Sequence, residues 1–435
     1  MSVEMGIYVP LSVMMFLEYA IWGAWAPVLA ARLLGPLKMS GKQTGWIYAT
    51  LPVGCIISPL IAGQLADQWL NTEWILAGAH LIGAALLFVA AKQGKFATLF
   101  AAMMCFSLCY GATLPLVNKL LFFHVDDVET QGKVFIWAPV AWALAGYVLT
   151  GWRLTRKTES DGSDCLVLAA LLSLVMGICC FFVPATPPEA TGEVPVVQAM
   201  SMLGDLNFLF FIVLSMVIFG LMQFYFLGTA HFMQEMGIAS KNVPASMAIA
   251  QAAQAAATWF LLSICLASLG FKWTLIAGAL SWLVMYLVYI GTKPPWLIVC
   301  SQALHGLAYV LFVIVGQIYA NTVAPPEIRG SIQALVFMAT AGIGLFFGTQ
   351  FAGIVMDHFS VEGKFQWRKI WMVSGGIMLA GMLVLAAAFH DPPDEEKTPK
   401  ETPEESAETA CRDWHSPAIA RVDHSARNST RNKSY

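Results

Sequence analysis

Charge is what this chain of 435 residues has least of: Asp, Glu, Lys and Arg make up 12% of it, about half of the roughly 25% carried by soluble globular proteins. The scarcity is deeper than the average, because 17 of the 51 charges fall in the last 45 residues, 391–435, leaving 34 for the first 390. So thin a polar coat excludes an ordinary soluble enzyme. A formal net charge of −3 offers no basic surface, and nucleic acid is not an expected partner. An oxidised framework is missing too: of the nine Cys, Cys55, Cys105, Cys109, Cys179, Cys180, Cys265 and Cys300 lie in apolar stretches, where a thiol behaves as a small hydrophobe. There is no phosphate-binding Gly-rich loop with Lys, no His-Glu-x-x-His zinc motif and no nucleophile elbow. Cys105 and Cys109 share a helix face without a third or fourth ligand, so neither metal nor cofactor is expected.

What the chain has instead is apolar length, with 58% hydrophobic residues and a mean hydropathy of +0.67. A helix crossing about 30 Å of hydrocarbon needs about 20 residues with little charge. Eleven charge-free runs meet that length: Thr44 to Ala66, Trp74 to Ala91, Phe96 to Asn118, Val134 to Trp152, Cys165 to Pro188, Leu206 to Gln234, Asn242 to Phe271, Trp273 to Thr292, Pro294 to Pro326, Gly330 to Met356 and Ile370 to Phe389. A twelfth, Met5 to about Ala31, is interrupted only by Glu18, and without a small-residue cleavage site it is not expected to be a removed signal peptide. Barrel strands are about ten residues long and alternate, so they do not explain these runs. The fold class is therefore all-α integral membrane, with twelve transmembrane helices.

The Pro-rich stretch Pro184 to Asp205 divides the spans six and six, as a duplicated six-helix bundle predicts. The expected domains are residues 1–184, a linker over 185–205, a second bundle over 206–390, and a disordered acidic, Pro-rich tail over 391–435. Charge in the loops bears on orientation. Loops after odd-numbered spans hold Arg32, Lys38, Lys42, Lys92, Lys95, Arg153, Arg156, Lys157, Lys241, Lys293, Lys364, Arg368 and Lys369, against Lys119, Lys133, Lys272 and Arg329 in the others. The positive-inside rule would put the termini outside, while the seven Lys and Arg of the tail pull the other way.

At the first span, Ile21-Trp22-Gly23-Ala24-Trp25 resembles the opening signature of the nucleoside:proton symporter family within the major facilitator superfamily. The match continues in order through Gly63-Gln64-Leu65-Ala66-Asp67-Gln68-Trp69-Leu70 with Trp74, the stretch Thr113 to Asn118, Ile136-Trp137, Gln223, Gln251, His305-Gly306, Tyr309, Gly316-Gln317-Ile318-Tyr319, and Ile328-Arg329 with Gln333. This resemblance covers about residues 10 to 390. It implies the major facilitator fold, cytoplasmic termini in a cell inner membrane, and nucleosides and protons as partners within the lipid bilayer.

Three ionisable positions of the family pattern are neutral here. Phe135 stands where the family has Arg before Ile136-Trp137, Gln254 where it has Glu three residues after Gln251, and Val310 where it has Asp after Tyr309. Glu18 occupies a position where the family commonly has a neutral amide. The departures bear on proton coupling and on substrate identity.

Side-chain chemistry then nominates the site. An ionised carboxylate at mid-membrane costs on the order of 3 kcal/mol by insertion scales, so Glu18 is either a proton carrier or a protonated group bonded to a neighbouring helix. Gln251 and Gln254 share a face of an Ala-rich helix and, with Gln223, offer donors and acceptors to hydroxyls or a base edge; interhelical packing is their plain alternative. His305 and Tyr309 are one turn apart, and His305 is a second candidate for proton coupling as well as a cavity residue. His80, His124, His231 and His358 are taken as structural or interfacial. Trp137 and Trp142, beside the segment that contacts substrate in the family, are candidates to stack on a base, and Asn118 to line the cavity. Asp67, four residues after Gly63, resembles the superfamily's gating acid, and the same spacing at Gly353 and Asp357 is too common to count as a repeat. The expected function is proton-coupled nucleoside transport by alternating access. An uncoupled facilitator, or a carrier of sugars or another small polar metabolite, is the alternative. A non-transporting membrane enzyme or sensor is third, its one local candidate being His124 with Asp126, Asp127 and Glu129.

Overall fold

A backbone out of water must satisfy its N–H and C=O groups within its own segment, so apolar runs of this length fold as helices. The computed structural model describes residues 5–125, 128–156, 161–188, 200–292, 294–325 and 329–392, apart from the side chains of residues 60, 67, 128, 129, 329–331 and 334. Within them, long apolar helical spans run over Met5–Leu34, Gly41–Ala66, Thr72–Ala91, Phe96–His124, Thr130–Thr155, Asp164–Phe182, Leu206–Glu235, Leu262–Gly291, Pro295–Val323, Leu335–His358 and Trp367–Ala388. The remaining crossing begins in helix Val243–Phe260, which passes through Leu261 (φ −109°, ψ −32°) into the next helix. That next helix is broken at Gly270, whose φ of +71° and ψ of −176° suit glycine alone. Residues 243–269 are thus the eighth span and 271–291 the ninth, and the described residues hold twelve crossings.

The first span is longer than its charge-free run. After a turn at residues 26–28 it resumes as Leu29–Leu34 and buries Arg32, whose Nη2 donates to the carbonyls of Ala91 (2.9 Å) and Gln93 (3.1 Å). The tenth and eleventh spans each contain a π-helical segment, Tyr309–Ile314 and Met338–Gly344, a local widening that recurs at functional sites. A short hairpin, Ser360–Val361 paired with Lys364–Phe365, links the eleventh span to the twelfth.

Large apolar side chains such as Phe347, Trp259, Ile61 and Leu287 stand exposed around the outside, a surface suited to lipid rather than water. Inside, small residues set how closely helices cross. A Cβ on Gly54 would run into the carbonyl of Ser107, and one on Gly111 would meet the backbone of Gly54, so the second and fourth spans touch backbone to backbone. Beside that crossing the hydroxyls of Thr50 and Ser107 lie 2.9 Å apart. We expect Gly54→Val to destabilise the protein by about 3 kcal/mol, the upper end of overpacking costs. Thermal unfolding of purified protein in detergent measures it, and an unshifted midpoint would contradict this crossing.

Candidate transport pathway

The first and fifth spans from one half, and the seventh and eighth from the other, enclose a narrow crevice. Gly23, Trp142, Gly146, Tyr225, Phe226 and Gln251 are among its lining residues. Its free interior is on the scale of a single water, so the walls of the two halves meet closely at this crevice. Trp142 dominates one wall, tilted against Trp22 at 5.5 Å and against Phe226 at 6.2 Å between ring centroids. Behind the opposite wall Tyr225 stacks on His305 at 3.8 Å and 14°. The indole of Trp282 donates to Nδ1 of His305 at 3.1 Å. Indole N–H is only a donor, so Nδ1 is an acceptor and the imidazole is neutral, with its hydrogen on Nε2.

Only part of the nominated set comes together. Gln251 and Trp142 line the crevice. Three residues advance a helix by about 300°, and the remaining offset separates the two amides: Gln254 is buried where the eighth span crosses the tenth at Gly306. Gln223 is buried, and its Oε1 has no hydrogen-bond partner among the described residues; the same holds for Oδ1 of Asn118. Trp137 is 37% exposed and meets the edge of Phe16 at 6.3 Å, away from the crevice. Tyr309 opens the π segment one turn beyond His305, and Val310 after it is fully buried. Phe135 packs near Phe122, at 6.0 Å. The side chain of Asp67 lies outside the described residues.

Glu18 is fully buried inside the first half, and its partner is one that the sequence did not pair with it. His80, taken as structural or interfacial, places Nε2 2.9 Å from Glu18 Oε2. Thr113 donates its hydroxyl to Glu18 Oε1 at 2.7 Å, and Tyr110 donates to the Glu18 carbonyl at 2.6 Å. On the far side of the imidazole, Nδ1 lies 3.4 Å from Ser173 Oγ, which itself donates to the His80 carbonyl at 2.9 Å. A ruler built on Asp, Glu, Lys and Arg passes over His80, although a mid-span histidine is as much an intramembrane ionisable group as Glu18.

A second pairing that the sequence did not reveal is made by Asp357. Its carboxylate, at the end of the eleventh span, accepts from the backbone N–H of Gly41 and from that of Lys42 at 2.9 Å, the first two residues of the second span. An anion there meets unsatisfied N–H groups and the positive end of the helix dipole. Small residues permit it: a Cβ on Gly353 would meet the backbone of Gly41. Two further hydrogen bonds join the halves at the same end. Arg153, held by two 2.7 Å bonds to Asp164, donates from Nη1 to the Ser240 carbonyl at 3.1 Å, and the Ala245 N–H donates to Thr150 Oγ1 at 2.9 Å. This end is opposite the one where the first span begins, so the protein is latched shut on the side away from its N-terminus.

On the N-terminal side His124 serves structure, with Nε2 3.0 Å from the hydroxyl of Thr186, whose N–H donates to Glu73 Oε2 at 2.9 Å. Asp126 and Asp127, proposed beside His124 for membrane enzymology, lie outside the described residues, as does the side chain of Glu129.

Two six-helix halves, a crevice between them and a latch at one end define an alternating-access carrier of the major facilitator type. The family model described as Nucleoside H+ symporter matches residues 5–394, and the chain belongs to that family. Among its relatives, the "Putative nucleoside transporter YegT" of Escherichia coli (strain K12) is 28% identical over 413 residues, spanning 89% of this chain and 95% of that protein. The "Nucleoside permease NupG" of the same organism is 25% identical over 406 residues, spanning 88% and 95%. The crystal structure of nucleoside transporter NupG superposes with a TM-score of 0.77 at 23% identity, over 88% of this chain and 99% of that one, a likeness of fold. The protein is an integral inner-membrane transporter and not an enzyme.

Proposed function

We propose that this protein carries nucleosides together with protons by alternately exposing the crevice between residues 1–184 and 206–390, which the segment 185–205 joins. The observation that carries this reading is the lining of that crevice. Indole and phenyl faces at Trp142 and Phe226 suit a planar base, and the Gln251 amide can both donate to and accept from ribose hydroxyls. The unpartnered oxygens of Gln223 and Asn118 supply two further acceptors as the crevice opens. Membership of the symporter family supports the substrate class and the coupling. With both termini cytoplasmic, as the family resemblance implies, the Asp357 latch faces outward and the structure is closed to the outside.

Gln251→Ala tests the site. Loss of a hydrogen bond worth about 1 kcal/mol should cut uptake of subsaturating uridine roughly fivefold, with the amount of folded protein unchanged. An unaltered rate would remove Gln251 from the substrate's path. Competition distinguishes the substrate classes: nucleosides should block uptake where free ribose does not, and equal competition by ribose would favour a sugar carrier.

A further inference from the structure

The described residues place one ionisable pair deep inside the first half, and it lies apart from the crevice. Glu18 and His80 are 0% and 1% exposed, 2.9 Å apart, and bonded on their outer sides to Thr113 and Ser173. Other titratable groups near enough to feel the charge of Glu18 are Tyr19 on its own span, Cys55 on the second, Tyr110 on the fourth and Cys180 near the end of the sixth. These side chains are uncharged in their ordinary states. The fifth span meets the first through Trp137 on Phe16 and Trp142 on Trp22, which do not titrate. At the family's own ionisable positions, by contrast, the structure has a fully buried Val310, a buried Gln254 and Phe135.

We propose that the co-transported proton is bound by the Glu18–His80 pair, at a site separate from that of the substrate; the proposal rests on the symport reading given above. With one shared proton the pair is neutral, whether as an acid beside a neutral imidazole or as a carboxylate beside an imidazolium. Removing that proton leaves a net negative charge in a dry bundle core, which costs several kcal/mol unless water reaches it. The closed conformation therefore holds the protonated pair, and release requires a conformation that hydrates it. A ligand biases an equilibrium only through such a difference in affinity between states. The first span transmits the bias. Glu18 is bonded to the fourth span through its side chain and its carbonyl, and the next turns of the same helix, at Gly23 and Ala24, form the crevice wall.

The test uses the full chain in proteoliposomes, comparing wild type with Glu18→Gln and His80→Asn, each first checked as a single folded species. Under an inward proton gradient the wild type should concentrate labelled uridine, while both variants should only equilibrate it, at an inside-to-outside ratio of about one. Counterflow, which needs no net proton movement, should lose its pH dependence in both variants. If only one variant is recovered folded, it decides the matter. If neither is, Glu18→Asp takes their place and should show a displaced counterflow pH profile, an unchanged profile counting against the pair. A wild type that accumulates uridine, with variants that accumulate it equally, would overturn this assignment alone. A wild type that merely equilibrates uridine would overturn the symport reading, and the assignment with it.

Discussion

Asp357→Ala should open the latched end. Its carboxylate accepts from two N–H groups at the start of the second span, Gly41 and Lys42, and hydrogen bonds to a charged group contribute about 1.5–3 kcal/mol each. Part of that is recovered when water enters, so a loss of about 2 kcal/mol is a fair expectation, which shifts the balance between the two conformations roughly 30-fold. Lys38 and Glu362 lie in the loops at this end, one in each half, and both are exposed. Spin labels at these two positions, in a background without the native cysteines, should report a longer separation in Asp357→Ala than in the parent. Asp357→Asn keeps an acceptor without the charge and should fall between them. An unchanged distance distribution would mean that Asp357 caps a helix without holding the halves together.

Trp142→Ala should cost more transport than any other substitution in the crevice. The ring packs against Trp22 and Gly23 of its own half and meets Phe226 across the interface. Stacking of a base on an aromatic ring contributes about 1–3 kcal/mol, so the concentration for half-maximal uridine uptake should rise by about 5- to 150-fold. Trp142→Phe should recover most of the loss, because a phenyl face remains. Trp137→Ala provides the contrast, since its ring lies outside the crevice with 37% exposure. A Trp137 variant as damaged as the Trp142 variant would show that the substrate takes a different path.

Apolar run length located the membrane crossings well, because the hydrocarbon thickness that a helix must span is a constraint on composition itself. The eighth and ninth spans illustrate this: the break predicted at Lys272 falls two residues after the backbone turns at Gly270. Spacing said less about which side chains meet. Gln251 and Gln254 share a helix face by sequence, yet the eighth span is wedged between the fifth and the tenth, and the offset between them sends one to the crevice and the other to Gly306. Long-range pairing was not legible at all. His80 is 62 residues from Glu18, and Asp357 is more than 300 residues from the Gly41 it binds. The spacing of Gly353 and Asp357, too common to count as a repeat, gave no sign that the eleventh span delivers that carboxylate to the N-terminus of another helix. Asp67 has the same spacing from Gly63, at the opposite end of the second span.

In the reading proposed above, this family member couples nucleoside movement to protons although Phe135, Gln254 and Val310 are neutral. The most direct measurement is uptake of labelled uridine into proteoliposomes under an inward proton gradient, repeated after a protonophore has collapsed it. Accumulation above the external concentration that disappears with the protonophore is the predicted result. Equilibration at the same rate and to the same level in both conditions would contradict it, and would make the protein a nucleoside facilitator.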